Sequence, residues 1–299
     1  MEQNRPFIDW PGLANPILGY EHWSVKDVCV YYEEEQRLFY LYFSAFALEP
    51  FRTHIVGVTT RDFVHYSEPF MDWDGLEQGV GGFCSPSILQ AEGRYVLSFN
   101  AWGDVPGQPN QLYYTESQDL MHWSDVRRLA PMLTEGVRSI DAVLAYSEGR
   151  YYLTWKERQV GNPVAVASAL GGNDWRLIGK AQLDGIYENA QLLCIDGAWR
   201  MLATHCSVPH ETYLFTMDGD GASPEHWLRW TDKRRLRVPL EGFNTKDHSN
   251  AGFMADWRQY DGYFYLLYAG NTELEQYRGR GHCRIGLARS ADLSVWEKP

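Results

Sequence analysis

The sequence predicts an all-β fold: a five-bladed β-propeller with about four antiparallel strands in each blade. An apolar, aromatic-rich run occurs five times along the chain, and a turn ending in tryptophan or tyrosine follows each run about twenty residues later. The runs align without gaps on Phe39, Tyr95, Tyr151, Trp199 and Phe264. A repeat of this length is one supersecondary unit, and propellers close with about four to eight blades, so five repeats complete a ring. A β-sandwich is the alternative fold.

Each repeat reads as short strands joined by tight turns. The runs are rich in β-branched and aromatic residues, which favour strands. Turn signals precede four of them: Glu92-Gly93, Glu148-Gly149, Asp196-Gly197 and Asp261-Gly262. No linker or change of composition divides the chain, so we expect residues 1–299 to form a single domain. Its blades should span approximately residues 21–80, 81–135, 136–182, 183–240 and 241–299.

Residues 1–20 form an extended lead that contains proline and glycine. Because the last repeat ends almost at the carboxyl terminus, we expect this lead to pair with the final blade and to cover a sheet edge that would otherwise be exposed. The chain also has 12 tryptophans. In a propeller, most of these should pack between neighbouring blades.

Composition narrows the class of partner. The formal net charge is −12 and no block of five like charges occurs, so nucleic acid and membranes are not expected as partners, and a neutral substrate fits better. The amino terminus lacks the basic end and apolar stretch of a signal peptide, which predicts a cytoplasmic protein. The sequence leaves the oligomeric state open. Five cysteines without metal-site spacing are expected to be free thiols in strands: Cys29, Cys84, Cys194, Cys206 and Cys283.

Carboxylates stand at the start of three of the five blades. Asp27 belongs to the first blade, Asp141 to the third and Glu188 to the fourth, each 12 to 14 residues before the central leucine or methionine of its repeat. The innermost strand of a blade lines the central channel, and a carboxylate entering the core is costly unless it is paired or hydrogen-bonded. Taken singly, each acid reads as a turn residue. Three acids at comparable positions that converge on one channel indicate a functional site.

With these acids the chain resembles, over its whole length, the five-bladed propeller glycosidases of glycoside hydrolase family 43 and its relatives. The resemblance implies an aspartate general base in blade one, an aspartate in blade three that orients the acid and tunes its pKa, and a glutamate general acid in blade four. These roles fall on Asp27, Asp141 and Glu188, respectively.

The chain departs from the family pattern at the residues next to the acids. The family usually has proline after both aspartates and Gly-Pro after the glutamate, whereas this chain has Val28, Ala142 and Asn189-Ala190. Blade two often reads Trp-Ala-Pro-Asp in the family, and here it reads Cys84-Ser-Pro-Ser87. These departures leave the subfamily and the substrate open.

The three acids suit the cleavage of a glycosidic bond. That reaction needs one protonated carboxyl for the leaving oxygen and one ionised carboxylate at the same pH. We therefore expect Glu188 to be the acid and Asp27 the base, and we expect Asp141 to raise the pKa of Glu188 by like-charge repulsion. The resemblance implies inversion, in which acid and base stand roughly 6.5–9.5 Å apart with a water between them.

Further candidates lie near the ends of the innermost strands. Aromatic faces pack against the apolar faces of sugar rings, and five rings are candidates for this contact: Trp23, Phe83, Trp102, Trp155 and Tyr187. Arg138 and His205 are candidates for binding substrate hydroxyls. Relatives often carry a blade-five histidine near a metal ion in the central channel, so the resemblance makes His248 a candidate ligand of a structural calcium or sodium ion. The reaction itself requires no cofactor.

The sequence thus predicts an inverting, exo-acting glycosidase that removes a terminal neutral sugar from oligosaccharides, a pentose or a similar sugar such as a xyloside or an arabinofuranoside. Two alternatives remain open. A propeller that has lost catalysis would be a carbohydrate-binding module. A glycoside phosphorylase would gather Lys26, Arg138, Lys156 and His205 around a phosphate beside the acid.

Overall fold

The computed structural model describes residues 6–47, 52–103, 105, 107–157, 160–277 and 280–299. Its strands form five antiparallel sheets, one for each repeat, and one separate pair of two-residue strands. The first strand of each sheet contacts the first strand of the next sheet, and the first strand of the fifth sheet contacts that of the first. This cyclic order confirms the predicted five-bladed β-propeller.

In each blade the strands follow one another in chain order, from the centre of the propeller outward. The first sheet contains β1 (Trp23–Glu33), β2 (Leu38–Ala47), β3 (Arg52–Thr60) and β4 (Met71–Trp73). The second contains β5 (Phe83–Ala91), β6 (Arg94–Ala101), β7 (Leu112–Ser117) and β8 (Arg127–Arg128). The third contains β9 (Ile140–Ser147), β10 (Arg150–Lys156), β11 (Pro163–Ala167) and β12 (Arg176–Lys180). The fourth contains β13 (Tyr187–Ile195), β14 (Ala198–His205), β15 (Thr212–Met217) and β16 (Trp230–Arg235).

The fifth sheet has three strands rather than four: β17 (Asp247–Asp256), β18 (Phe264–Asn271) and β21 (Arg284–Ser290). The separate pair lies between its last two strands: β19 (Gln276–Tyr277) and β20 (Arg280–Gly281). Helices are single turns: α1 (Pro131–Thr134), α2 (Arg258–Asp261) and 3-10 segments at Trp10–Gly12, Leu76–Gln78 and Pro224–Leu228. No helix in the described part of the chain is long and apolar enough to cross a membrane.

Tight turns join the first two strands of the middle blades. Glu92 and Gly93 have φ angles of 51° and 74°, and the same left-handed pair recurs at the next two predicted turns, Glu148-Gly149 and Asp196-Gly197. Two-residue hairpins of type I′ require positive φ at both positions. The fourth predicted turn differs, because Asp261 ends α2 and Gly262 follows it with a φ of 89°.

Five buried clusters fill the spaces between neighbouring blades, one for each interface. Tryptophans pack in them as the sequence predicts: Trp155, Trp227, Trp257 and Trp296. The ring of Trp227 stacks on that of Tyr152 across a blade interface, with centroids 4.0 Å apart. Because both faces of a blade are covered in this way, the second strands are apolar almost throughout. All eight residues of β18 are buried.

The lead closes the ring on the fifth blade, as the sequence predicts. Leu18 forms an antiparallel bridge with Ile285 of β21. The side chain of Asn15 continues this pairing, since it donates to the carbonyl oxygen of Leu287 at 2.9 Å and accepts from the amide of Leu287 at 2.8 Å. The lead thus occupies the edge that a fourth strand covers in the other blades.

All five cysteines are free thiols. Cys29, Cys84 and Cys194 lie in strands, whereas Cys206 follows β14 and Cys283 precedes β21. The prediction of free thiols is confirmed, and the prediction that all five lie in strands is wrong for the last two.

Candidate active site

Each innermost strand contains a β-bulge at the same place. One residue of each bulge has a left-handed backbone at the point where the register with the second strand shifts. The five residues are Asp27 (φ 54°), Ser85 (56°), Asp141 (57°), Asn189 (47°) and Ala251 (49°). A bulge leaves one residue outside the ladder and redirects its side chain. These five residues line a narrow cavity in the centre of the molecule.

The central cavity has a volume of about 30 Å³. A cavity of this size has room for a water molecule and none for a sugar ring. A molecule as large as a sugar ring could reach these residues only from the open face of the propeller, where the innermost strands begin. We call this the entry face; it also carries the β6–β7, β10–β11 and β14–β15 connections.

Glu188 does not occupy the position equivalent to the two aspartates. Asn189 takes that place in blade four, and Glu188 precedes it by one residue. The equivalent of Glu188 in blade one is Lys26, which precedes Asp27 in the same way. The sequence-based expectation of three equivalent acids is correct for Asp27 and Asp141 and wrong for Glu188.

Asp27 is buried among hydrogen-bond donors. Ser44 Oγ donates to Asp27 Oδ2 at 2.7 Å, and Lys26 Nζ lies 3.3 Å from Asp27 Oδ1. Burial opposes the charged form of Lys26, but the carboxylates around it, Asp27 first, outweigh this effect and raise the lysine pKa. The Asp27 carboxylate is thus held in one orientation beside a permanent positive charge.

Asp141 lies beside Asp27 and is linked to it through Ser85. Ser85 Oγ donates to Asp141 Oδ1 at 2.8 Å and lies 3.4 Å from Asp27 Oδ2. The backbone amide of Asp141 donates to Asn100 Oδ1 at 2.8 Å. Burial, and then the neighbouring charge of Glu188, raise the pKa of Asp141 to about 6. Asp141 therefore changes its protonation state close to neutral pH.

Glu188 forms an ion pair with Lys156, which ends β10 in the neighbouring blade. Burial works to raise the pKa of Glu188, but Lys26 and Lys156 outweigh burial and lower the pKa to about 2. The expectation that Glu188 has a raised pKa is therefore wrong, because the two lysines outweigh the repulsion from Asp141. The attraction between the two ammonium groups and the glutamate carboxylate is stronger than the repulsion from one partly protonated aspartate.

The charges of this centre nearly cancel. Two lysines, Lys26 and Lys156, face three carboxylates, and one of these, Asp141, is protonated below about pH 6. The net charge is −1 when all three carboxylates are ionised and zero once Asp141 is protonated, so the centre offers little attraction to an anionic substrate. This balance agrees with the neutral sugar expected from the sequence.

Three of the five candidate sugar-stacking rings are buried. Phe83, Trp155 and Tyr187 expose 1%, 2% and 0% of their surfaces, respectively. Phe83 packs against Phe99 with ring centroids 4.8 Å apart, and the hydroxyl of Tyr187 donates to Asp184. The expectation that these three rings stack on substrate is wrong, because each belongs to a packed blade interface and leaves no ring face open.

The other two rings are partly exposed near the entry face. Trp23 lies edge-to-face against His54, with centroids 4.9 Å apart. Trp102 lies under the guanidinium of Arg138, whose central carbon is 5.4 Å from the ring centroid, a cation–π arrangement. Substrate contacts by Trp23, Trp102 and Arg138 stay predictions.

The two candidate histidines have polar partners. His205 Nδ1 lies 2.6 Å from Ser207 Oγ, and His248 Nδ1 lies 3.0 Å from Glu211 Oε1. Among the described residues, no three His, Cys, Asp or Glu side chains come together as metal ligands. The role of His248 as a ligand of a calcium or sodium ion stays a prediction, and we derive no step through a metal.

The four residues proposed for phosphate all have partners within the protein. Lys26 and Lys156 lie beside the acids, but each is paired with a carboxylate. Arg138 covers Trp102, and His205 contacts Ser207. The arrangement does not provide the unpaired basic cluster that phosphorolysis needs.

Two site residues escaped the sequence reasoning, although the sequence contains a signal for them. Ser85 and Asn189 each stand 12 residues before the central residue of their repeat, the same spacing as Asp141. Applied strictly, this spacing selects the bulge residue in blades two, three and four. In blade one, the hairpin between β1 and β2 is longer, so Asp27 stands further from the central residue of its repeat. The spacing rule is therefore not visible in that blade.

The fold is similar to solved structures of glycoside hydrolases. A thermostable family-43 glycoside hydrolase matches with a TM-score of 0.65 at 15% identity, with 95% of each chain covered. A GH62 hydrolase in complex with xylotriose matches with a TM-score of 0.66 at 14% identity, covering 92% of this chain and 95% of that chain. The α-L-arabinofuranosidase from Lactobacillus brevis gives 0.66 at 13% identity, with 97% and 98% covered.

At these identities the likeness shows the fold, and the resemblance expected from the sequence is confirmed at that level. No family model and no curated protein matches the sequence.

Proposed function

We propose that the protein is a glycoside hydrolase that removes a terminal neutral sugar, a pentose such as xylose or arabinofuranose, from oligosaccharides by an exo-acting, inverting mechanism. The observation that carries the proposal is the meeting of Asp27, Asp141 and Glu188 at the entry face, in blades one, three and four. The similarity in fold to an arabinofuranosidase and to a hydrolase that binds xylotriose agrees with it.

In the proposed reaction, Asp27 accepts a proton from the attacking water and Glu188 donates a proton to the leaving oxygen. The hydrogen bond from Ser44 and the ammonium group of Lys26 hold the carboxylate of Asp27 in one orientation. Water attacks the anomeric carbon from the face opposite the leaving group, so the product has the inverted configuration. Asp141 stays close to Glu188 and favours its protonated form when it is itself ionised.

Glu188 must be protonated when the sugar is bound, yet Lys26 and Lys156 lower its pKa to about 2. We propose that the leaving oxygen of the substrate displaces the ammonium group of Lys156 from the carboxylate. Loss of this contact removes a large cause of the lowered pKa, and the exclusion of water by the sugar adds a desolvation effect in the same direction. Substrate entry would then prepare the acid.

The first test is hydrolysis of aryl pentosides, aryl hexosides and natural oligosaccharides, with and without phosphate. Asp27→Asn should lower turnover by at least roughly two orders of magnitude, the scale of general acid–base assistance. Asp125→Asn, at an exposed position away from the site, is the control. Release that needs phosphate would establish a phosphorylase, and saturable sugar binding without turnover would establish a binding module.

The second test separates acid from base by the leaving group. Glu188→Gln should lower turnover by roughly two orders of magnitude for alkyl glycosides and oligosaccharides, and much less for a 2,4-dinitrophenyl glycoside, whose leaving anion needs no proton. Asp27→Asn should slow both substrates. Equal losses for both substrates in Glu188→Gln would remove this residue from the acid role. Proton NMR, which identifies the product anomer that forms first, tests inversion.

A further inference from the structure

A second cavity opens on the entry face at blade two, outside the centre that holds the acids. It has a volume of about 210 Å³ and lies between the β6–β7 connection and the segment that leads from α1 into β9. This is less than the roughly 300–1,000 Å³ of sites that enclose drug-sized ligands, and it suits a single sugar ring. Its polar and aromatic lining consists of Gln108, Asn110, Gln111, Tyr113, Arg128 and Glu135.

The cavity contains a polar side chain that is bonded to no described residue and opens into the cavity. Asn110 is only 6% exposed and lines the cavity, yet its side-chain amide forms no hydrogen bond to any residue that the structure describes. Because this amide is open to the cavity, water satisfies its hydrogen bonds until a ligand takes the place of that water. A ligand with hydroxyl groups would satisfy both the donor and the acceptor of this amide.

The rest of the lining fits a neutral polyhydroxylated ring. Arg128 is fixed by a hydrogen bond to Gln111 Oε1 and lies over the ring of Tyr113, 5.6 Å from its centroid. Glu135 presents an exposed carboxylate at the rim, with no ion pair to any described residue. One arginine and one glutamate give no net charge, which disfavours a phosphate or a cation, whereas amide, guanidinium and carboxylate groups all bond sugar hydroxyls.

The cavity is joined to the acids by the chain itself. The carbonyl oxygen of Asn110 accepts the amide of Ser139, two residues before Asp141. Tyr113 belongs to β7, the third strand from the centre, whereas Ser85 lies on β5, the first. Strands in a sheet are about 4.8 Å apart, so the cavity lies roughly 10 Å outward from the central site. A short oligosaccharide spans this distance.

We propose that the blade-two cavity is a sugar-binding subsite that holds one neutral ring of the oligosaccharide at a distance from the bond that is cleaved. This inference rests on the proposed function and deepens it, since it names an oligosaccharide of at least three units as the substrate class. Asn110 is the central hydrogen-bonding residue, and Glu135 and Arg128 contact hydroxyls at the rim.

The test measures binding apart from catalysis. Asp27→Asn protein is titrated calorimetrically with xylotriose, cellotriose and 1,5-linked arabinotriose. Adding Asn110→Ala should weaken the binding of the preferred trisaccharide roughly tenfold, and adding Glu135→Gln should weaken it several-fold, the effect of losing hydrogen bonds. The matched control is Asn173→Ala, an exposed asparagine on the opposite face. In active protein, Asn110→Ala should lose about tenfold more kcat/KM on the trisaccharide than on an aryl monosaccharide.

Two results would overturn the subsite: no binding of any of the three trisaccharides, or binding that neither Asn110→Ala nor Glu135→Gln weakens. Because Glu135 is exposed at the rim, its substitution cannot act through misfolding. Trisaccharide binding that depends on Asn110, in a protein without turnover, would retain the subsite and reject the proposed hydrolysis. Turnover together with trisaccharide binding that does not depend on Asn110 would support the proposed hydrolysis and reject the subsite.

Discussion

Lys26 and Lys156 together set the protonation state of the proposed acid, Glu188. Two lysines lower the pKa of Glu188 to about 2, while burial and the charge of Glu188 raise that of Asp141 to about 6. The raised pKa thus belongs to the aspartate and not to the proposed proton donor. The proposed mechanism therefore depends on separating one lysine from one glutamate.

Replacing Lys156 by methionine should move the alkaline limit of activity to higher pH. A group that must be protonated loses activity as the pH rises through its pKa, and removal of the ammonium raises the pKa of Glu188. Profiles of kcat/KM against pH for Lys156→Met and for Lys180→Met, at an exposed position, measure the shift. An alkaline limit that stays in place would show that ionisation of Glu188 does not determine it.

Ser85 is a second residue whose effect is visible in the pH profile. Its hydroxyl has one proton and donates it to Asp141 at 2.8 Å, which stabilises the ionised carboxylate. Ser85→Ala should therefore raise the pKa of Asp141 further and move the acidic limit of activity upward by roughly one pH unit. The comparison is Ser98→Ala, which removes a buried hydroxyl bonded to a carbonyl oxygen; equal profiles for both variants would contradict the assignment.

At the scale of the element, the repeated bulge positions the chemistry. Left-handed backbone costs roughly 1–2 kcal/mol in residues with a Cβ, yet all five innermost strands adopt it without glycine. Such strain persists where the surrounding structure determines it, often at functional sites. Here the hydrogen-bonded strand pairing on both sides of the bulge imposes the left-handed backbone. As a result, five side chains are directed at one centre.

The second repeated element is the turn after the third strand. Asp119 Oδ1 accepts the amides of Met121 and His122 at 3.0 and 2.8 Å, and Asp62 and Asp292 make the same bonds in their own blades.

Asp119→Ala should lower the free energy of unfolding by about 1–2 kcal/mol, because two amides and the ring of His122 lose their acceptor. Urea unfolding, with Asp125→Ala as the control, measures the difference. Equal free energies for the two variants would mean that water replaces the aspartate at no cost.

At the scale of the whole molecule, the lead segment before the first blade holds the ring of five blades closed. The hydrogen bonds between Asn15 and Leu287 join the first residues of the chain to its last strand. Asn15→Ala removes two of these closing bonds, and a further one to Glu241. The melting temperature should fall by several degrees, since a few kcal/mol are lost. Calorimetry of Asn15→Ala, with Asn173→Ala as the control, measures this change. An unchanged melting temperature would show that Asn15 does not help to hold the ring closed.

The repeats predict the fold well because each blade is a local unit whose strands and turns follow from neighbouring residues. The hairpins at Glu92-Gly93 and Glu148-Gly149 could be read from two residues each. The same local reading fails for Trp155 and Tyr187, because burial of an aromatic ring depends on the facing blade. It also fails for Lys156, since its partner, Glu188, belongs to the next repeat.

The sequence by itself determined the number of blades, the location of the acids at the channel and their distribution over blades one, three and four. These properties are periodic, and periodicity is written in the order of residues. The tertiary structure alone decided which charges meet: that Lys156 neutralises Glu188, that Ser85 joins two aspartates, and that the unpaired amide of Asn110 faces a second cavity. Such contacts cross blade interfaces or connect separate loops, and electrostatic energies depend on distance in space rather than on separation along the chain.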